Sequence, residues 1–245
     1  MQGGTAAIGN TTNMSWSVGE PTIVRVHILD GGLAAEVQVR WDNPHPGAPK
    51  LAGFLTLLQH TGEWVVIAAV ASQFPMHGIF HERSPPITPA DFEAVGAACW
   101  GEYGGANRAC DAERMSNVFH TACRLTYTGA DGTIVIKSQE EFLAMVGDRY
   151  NTPLHAPYAH LRDDPRAAAG DTLLSITFAT PKLAMVVLKV GHPPCLWTDL
   201  LTCARLHGKW WIVAKSSCKE PLLEDEARPE DGGGKRAKTD AGPSN

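Results

Sequence analysis

The sequence predicts an α+β fold in which antiparallel strands make up most of the chain and helices are confined to its middle. Two observations lead to this prediction. Residues 52–72 and 196–218 follow one plan, with two strands rich in aromatic and β-branched residues flanking a tight turn at Gly62 or Gly208. Apolar residues at helical spacing are found between residues 87 and 147.

The two hairpin segments are close enough in pattern to indicate an internal repeat. Residues 54–72 align with residues 200–218 without a gap. A repeat of this length predicts two related units. We expect an incomplete unit at 20–74, a linker at 75–86 and a complete unit at 87–219.

The first unit is predicted to contain strands alone. Residues 22–29 and 33–41 alternate apolar and polar side chains around a glycine turn, and the hairpin at 52–72 follows a proline-rich loop. These segments predict a four-stranded antiparallel sheet without a helix. Such a sheet leaves an apolar face that something else must cover.

The second unit is predicted to begin with two helices. Thr88 suits an N-cap and Pro89 the first helical position. An apolar stripe follows at three- and four-residue spacing: Phe92, Val95, Cys99 and Tyr103. We expect this helix to end at Gly104 and Gly105, and a shorter helix to cover residues 107–119.

A short hairpin, a third helix and four strands complete the predicted order. Ser138 and Glu141 form the sequence pattern of a capping box, which opens the third helix. The remaining expected segments are strands at 121–128 and 133–137, a long loop at 151–171, strands at 172–180 and 183–190, and the second repeated hairpin.

Composition argues against nucleic-acid and membrane partners. The chain has 245 residues, 44% of them hydrophobic, a formal net charge of −5 and a sequence pI near 6.0. No apolar run is long enough to span a bilayer, and the N-terminus lacks the pattern of a secretory signal. We therefore expect a soluble protein of the cytoplasm without a nucleic-acid or membrane partner.

Both ends of the chain are predicted to be disordered, because residues 1–19 and 220–245 are polar and rich in glycine or charge. A basic cluster at residues 235–238 matches a short nuclear localisation signal, so a nuclear location is an alternative. The six cysteines all lie in the second unit and form no CxxC pair, which favours reduced, packed thiols.

The order of elements resembles the nuclear transport factor 2-like cone, also called the SnoaL-like fold. Within it the sequence is most similar to the putative lumazine-binding family. The resemblance depends on Tyr103-Gly104, Phe119-His120-x-Ala122, Ser138-x-Glu140-Glu141-Phe142, Trp197-x-Asp199-x-Leu201 and Gly208-x-Trp210-x-Ile212-x-x-Lys215. The sequence departs from the family pattern at Thr121, where the family often has a proline, and it lacks the acidic residue usual before Ala122.

The resemblance implies that three helices and a curved sheet enclose a pocket for a small apolar ligand, with no cofactor. It also implies two alternatives for the first unit. It is either the sheet half of a second cone whose helices are absent, or a sheet that packs on the complete cone. Because such cones dimerise through their sheets, we expect a homodimer or the pairing of the two units within one chain.

The hairpin pattern predicts the polar centre of the pocket. Period two places Trp197, Asp199, Leu201 and Cys203 on one face, with Trp210 and Ile212 on the same side. Asp199 among apolar neighbours needs a partner, and Lys215 on the adjacent strand is the candidate. The first unit has Gly53 and Ala69 at these two positions, so we expect any pocket chemistry in the second unit.

Two functions of different classes stay open. The first is a binding or dimerisation module in which Asp199 and Lys215 form a structural ion pair. The second is a cofactor-independent isomerase, dehydratase or cyclase with Asp199 as base and His120 as acid. Trp100, Tyr103, Tyr150, Trp197, Trp210 and Lys215 are expected to line the pocket.

The loop at 151–171 also contains candidate metal ligands, His155, His160, Asp163 and Asp164. Their spacing matches no helical face and no known finger, so the sequence favours a solvated loop and predicts no metal site. A loop of this length beside a pocket is also typical of a lid.

Overall fold

The computed structural model describes residues 21–29, 34–41, 50–74, 86–129, 132–162, 168 and 170–221. The segments 1–19 and 222–245, which are predicted to be disordered, lie outside these ranges, as do Asp163 and Asp164. The basic cluster at 235–238 also lies outside, so nuclear import stays a prediction. Within the described residues no helix is long and apolar enough to cross a lipid bilayer.

The N-terminal unit is a four-stranded antiparallel sheet in the order β1-β2-β3-β4. Its strands are β1 (Pro21–Ile28), β2 (Ala34–Trp41), β3 (Lys50–His60) and β4 (Glu63–Phe74). Each strand pairs antiparallel with its neighbour in the chain. This agrees with the strand order expected from the alternating pattern.

The helices begin where the capping residues predict. Asp91 accepts hydrogen bonds from the backbone N–H and the hydroxyl of Thr88 at the start of α1 (Pro89–Gly96). Ser138 and Glu141 form a reciprocal capping box at the start of α4 (Gln139–Gly147). Both arrangements satisfy backbone N–H groups that have no partner inside the helix.

The first helix does not end at Gly104 and Gly105, and that prediction is wrong. A π-helical segment (Ala97–Gly104) continues α1, and α2 (Gly105–Ala109) continues it further, with φ of −60° and −63° at the two glycines. A Cβ on Gly105 would lie 3.0 Å from the guanidinium of Arg114. This glycine therefore permits close packing inside the helix and does not terminate it.

The single helix expected at 107–119 is also wrong. Cys110 has a φ of 55°, which breaks the helix, and Asp111 then caps α3 (Ala112–Ser116) by accepting a hydrogen bond from the N–H of Arg114. Phe119 already belongs to a strand. Further helical turns are 3₁₀ segments at Arg149–Asn151 and Ala156–Leu161, the second of them inside the expected loop.

The second sheet has six strands in the order β6-β5-β10-β9-β8-β7. They are β5 (Phe119–Thr128), β6 (Ile134–Ser138), β7 (Thr172–Thr180), β8 (Leu183–His192), β9 (Cys195–Leu206) and β10 (Lys209–Pro221). All neighbouring pairs are antiparallel except β5 and β10, which are parallel. β10 runs two residues into the predicted tail, because Glu220 and Pro221 still pair with the start of β9.

One face of the six-stranded sheet packs against the helices and the other against the first sheet. On the helix side, Val95, Cys99, Tyr103, Phe142, Leu201 and Ile212 share one buried core. On the opposite side, Phe54 and Leu58 of β3 pack with Met185, Val187 and Leu200. The predicted α+β fold class, with helices on one face of an antiparallel sheet, is confirmed.

The two repeated hairpins have matching backbone geometry. Gly62 and Gly208 have φ of 84° and 81°, and each follows a residue at φ near 50°. The pairing of β3 with β4 skips Ile67, and the pairing of β9 with β10 skips Val213. These two bulged residues occupy the same position when the hairpins are aligned.

Apolar side chains on the two edge strands of the first sheet are exposed. Ile23, Val26 and Ile28 on β1 are 52–63% exposed, and Val66 on β4 is 52% exposed. Ile23 lies opposite Val39 and Val66 opposite Leu57 in the strand pairing. Val39 on the central strand β2 is only 1% exposed, so the apolar exposure is confined to the edges of this sheet.

Candidate functional site

A cavity of about 280 Å³ lies between the helices and the six-stranded sheet. It is bounded by the π-helical segment, α2, α4 and the strands β5, β8, β9 and β10. Apolar and aromatic side chains form most of its wall: Leu125, Tyr127, Phe142, Met145, Leu154, Val190 and Trp197. Enclosure by packed elements with a few polar groups is typical of small-molecule sites.

Asp199 is the polar centre of this cavity and is completely buried. Its carboxylate accepts a hydrogen bond from the hydroxyl of Tyr103 and another, of 2.6 Å, from the hydroxyl of Ser217. It also forms an ion pair with the ammonium group of Lys215, which is 4% exposed. The predicted partner of Asp199 therefore contacts it directly.

Strand geometry explains why these groups meet. Asp199 lies directly opposite Ser217 in the β9–β10 pairing, and Lys215 lies opposite Leu201. Residues two apart on a strand face the same side, so all of these side chains point toward the helices. Tyr103 reaches them from the π-helical segment.

Burial governs how these groups titrate. Burial raises the pKa of Tyr103 well above its usual value, and the negative charge of Asp199 raises it further. Tyr103 therefore stays protonated and donates a hydrogen bond. Burial lowers the pKa of Lys215, and the carboxylate of Asp199 opposes this shift. The arrangement is a satisfied, buried polar cluster.

Arg149 brings a second charge to the cavity. Its side chain is 5% exposed, and its Nη1 and Nη2 donate hydrogen bonds of 2.6 Å to the backbone oxygen and the Oδ1 of Asn107. Nη1 also lies 3.8 Å from the sulfur of Cys110. Among the described residues no carboxylate pairs with this guanidinium.

Three further polar atoms in the cavity wall have no hydrogen-bond partner among the described residues: Nε2 of His155, Nδ1 of His192 and Nε1 of Trp197. The ring centroids of His155 and His192 are 5.1 Å apart, and those of His192 and Trp197 are 5.8 Å apart. Burial, reinforced by the charge of Arg149, lowers the pKa of His155 to about 4 and that of His192 well below its usual value. Both imidazoles are therefore neutral near pH 7.

The structure brings together four of the residues expected at the pocket: Asp199, Tyr103, Trp197 and Lys215. The other aromatic candidates do not line the cavity. Trp100 is 36% exposed, Trp210 packs against Phe178 in the helix-side core, and Tyr150 contacts the ring edge of His155 from outside the lining.

His120 does not line the cavity that Asp199 faces, whereas the sequence paired the two as acid and base. Its Nδ1 accepts a hydrogen bond of 3.2 Å from the N–H of Ala122, and its ring packs on Trp211 at 5.8 Å between centroids. The reason is strand alternation. Phe119 starts β5 and points into the core, so the next residue points away.

The two histidines of the predicted loop have different environments. His155 is buried in the cavity wall and His160 is exposed. Within the residues that the structure describes, no three His, Cys, Asp or Glu side chains are grouped as metal ligands.

Of the polar groups described above, four were not predicted from the sequence, and the two-residue period of a strand carried a signal for two of them. His192 continues the inward series of Val186, Leu188 and Val190 on β8, and Ser217 follows Lys215 on β10. Arg149 and Asn107 had no such signal, because they come from helix ends.

The sequence matches one family model, and several solved structures are similar to part of the chain. The family model described as "Putative lumazine-binding" matches residues 90–216. Similar solved structures include an NTF2-like protein of unknown function from Shewanella baltica, with 14% identity, a TM-score of 0.45 and coverage of 56% of this chain and 99% of that chain. Another NTF2-like protein of unknown function, from Silicibacter pomeroyi, has 18% identity, a TM-score of 0.42 and coverage of 54% and 97%.

A ketosteroid isomerase-like protein from Erwinia carotovora atroseptica has 11% identity, a TM-score of 0.39 and coverage of 54% and 98%. None of the curated proteins matches the sequence. The family model spans just over half of the 245 residues, from α1 into β10. The chain belongs to the family described as putative lumazine-binding.

Proposed function

We propose that this chain is a non-catalytic binding module that holds one small molecule in the cavity of its second unit. The observation that carries the proposal is the mainly apolar cavity whose wall contains buried polar atoms without a partner among the described residues. Buried polar groups are normally hydrogen-bonded, so such atoms indicate a bound molecule or water. The family description makes lumazine the first compound to test.

A cofactor-independent proton-transfer enzyme is the weaker candidate. Asp199 does face the cavity, but it already accepts hydrogen bonds from Tyr103 and Ser217 and pairs with Lys215. The carboxylate oxygens are therefore already engaged by protein groups. His120, the expected acid, has its ring against Trp211 instead.

Native mass spectrometry of the protein, purified without added ligand, tests the binding function. We expect a small molecule that stays bound through purification, and lumazine is the first compound added as a probe. Met145→Trp places a larger side chain in the cavity wall and should abolish the complex. Ile136→Trp is the matched control, because Ile136 is 58% exposed on β6. The proposal fails if Met145→Trp binds as well as the wild type.

We also propose that the two sheets are duplicated units that pair within one chain, in place of a homodimer through the same surface. The matched turns and bulges support the duplication. The core of Phe54 and Leu58 against Met185 supports the pairing. Light scattering on the full chain should find a monomer, and Phe54→Asp should lower its stability. A stable dimer unaffected by Phe54→Asp would contradict this.

A further inference from the structure

We infer that the molecule held in the cavity is a small organic carboxylate with an apolar body, and that Arg149 binds its charged group. This inference rests on the proposed binding function and adds the chemical class of the ligand. It assigns a role to a residue that no motif of the sequence singled out.

The first argument is that no carboxylate among the described residues pairs with the guanidinium of Arg149. A guanidinium carries five N–H donors, and those of Nη1 and Nη2 that are used go to the neutral oxygens of Asn107 and to the sulfur of Cys110. Nε makes no hydrogen bond with any described residue. A buried cation without a counter-ion costs free energy, and a ligand anion offsets that cost.

The second argument is the balance of all charges around the cavity. Four charged side chains line it: Arg149, Lys215, Lys219 and Asp199. Lys215 and Asp199 neutralise each other in their ion pair. Among the described lining residues, Arg149 in the wall and the exposed Lys219 are left, so the net charge of these side chains is positive. Anions are favoured there and cations are disfavoured.

The third argument is the position of buried ring nitrogens that have no hydrogen-bond partner among the described residues. His155 and His192 are 8% and 7% exposed, and each has one ring nitrogen without a partner. The indole N–H of Trp197 is a third such group, and it can act only as a donor. A carboxylate has two oxygens with several acceptor sites, so it can bond the fork of Arg149 and an N–H of the neighbouring rings together.

The fourth argument concerns the rest of the ligand. Leu125, Phe142, Met145 and Val190 give the cavity an apolar wall. A volume of about 280 Å³ accommodates a body larger than an inorganic ion. An apolar wall together with the positive charge of Arg149 favours an amphipathic molecule with one anionic group over phosphate or a neutral ring compound.

The test compares 1-naphthylacetate with its neutral amide, 1-naphthylacetamide, by isothermal titration calorimetry on the full chain. The two probes share an apolar body and differ in charge. We expect the wild type to bind the carboxylate about tenfold more tightly than the amide, the size expected from one charge-assisted hydrogen-bonded contact. Inorganic phosphate should bind neither tightly nor in competition with the carboxylate.

Arg149→Gln should remove this preference, so that the two probes bind about equally. Arg205→Gln removes the same charge from an exposed residue that pairs with Asp91, and it should keep the preference. Arg149→Lys retains the charge without the planar fork and should keep part of it.

The wild-type comparison decides the inference even if Arg149→Gln does not fold. Equal or tighter binding of the amide to the wild type overturns it, and so does a preference that persists in folded Arg149→Gln. If native mass spectrometry finds a neutral molecule that Met145→Trp expels, the binding function stands and the carboxylate inference falls. If neither probe binds and no molecule is retained, the binding function itself falls.

Discussion

Glu36 provides a quantitative test of the contact between the two sheets. It lies on β2, is 3% exposed, and is two residues from Gln38, whose amide donates a hydrogen bond to the carbonyl of Phe178 on β7. Burial raises the pKa of Glu36 from 4.5 to about 7, although the positive charge of Arg25 opposes the shift. The folded protein therefore holds a proton that the unfolded chain releases between pH 4.5 and pH 7.

The sign of the effect follows from this difference in proton binding. Because the pKa is higher in the folded state, the stability contributed by Glu36 is complete below pH 4.5 and is lost as pH rises through 7. A shift of about 2.5 units corresponds to about 3 kcal/mol of unfolding free energy. Glu36→Gln removes the titrating group. The stability of the variant minus that of the wild type should thus increase by about 3 kcal/mol from pH 4 to pH 8.

Urea unfolding followed by tryptophan fluorescence at several pH values measures this difference. Using the change with pH removes the constant effect of replacing a carboxyl by an amide. Glu63→Gln is the control, because Glu63 is exposed at the start of β4. A difference between Glu36→Gln and wild type that stays flat from pH 4 to pH 8 would refute the argument that the sheet contact buries this carboxyl.

Three further outcomes are expected. Asp199→Asn leaves the ammonium of Lys215 buried without its counter-ion and should cost about 3–5 kcal/mol in urea unfolding; a loss under about 1 kcal/mol would contradict the buried ion pair. His155→Gln should reduce the loss of stability between pH 6.5 and pH 4 by about 1–2 kcal/mol, because the lowered pKa of His155 makes the folded state resist protonation and solvent screening reduces the effect; equal acid sensitivity in both proteins would count against this. Gly208→Ala forces a side chain to a φ of 81° and should lower stability by about 1–2 kcal/mol, whereas Gly104→Ala, at a helical φ of −60°, should not; a tolerated Gly208→Ala would argue against the turn geometry.

Local sequence signals predicted the elements that depend on local chemistry. The glycine turns, the two helix caps and the alternation of Trp197, Asp199 and Leu201 all follow from residues close in sequence. The same signals failed where packing decided the outcome. Gly105 looked like a helix end, but it is helical and its missing Cβ leaves room for Arg114.

The candidate site was predicted in part for the same reason. Strand alternation gave Asp199 and Lys215, which face one side of neighbouring strands. Arg149 follows the end of α4, and its hydrogen bonds to Asn107 join residues 42 positions apart. Contacts of that separation depend on how helices pack, and no period within one element encodes them. His120 was misplaced because the boundary between α3 and β5 came earlier than expected.

The position of β10 in its sheet determines when the cavity can form during synthesis. β10 is the last described strand in the sequence, yet it lies in the interior of the sheet and joins β5 to β9. A nascent chain that has emerged only as far as β9 has two sheet fragments with unpaired edges facing each other. Such a chain also lacks Lys215 and Ser217, so the carboxylate of Asp199 has neither its ion-pair partner nor this hydrogen-bond donor. The growing polypeptide therefore has to avoid aggregation until β10 leaves the ribosome and pairs with both β5 and β9.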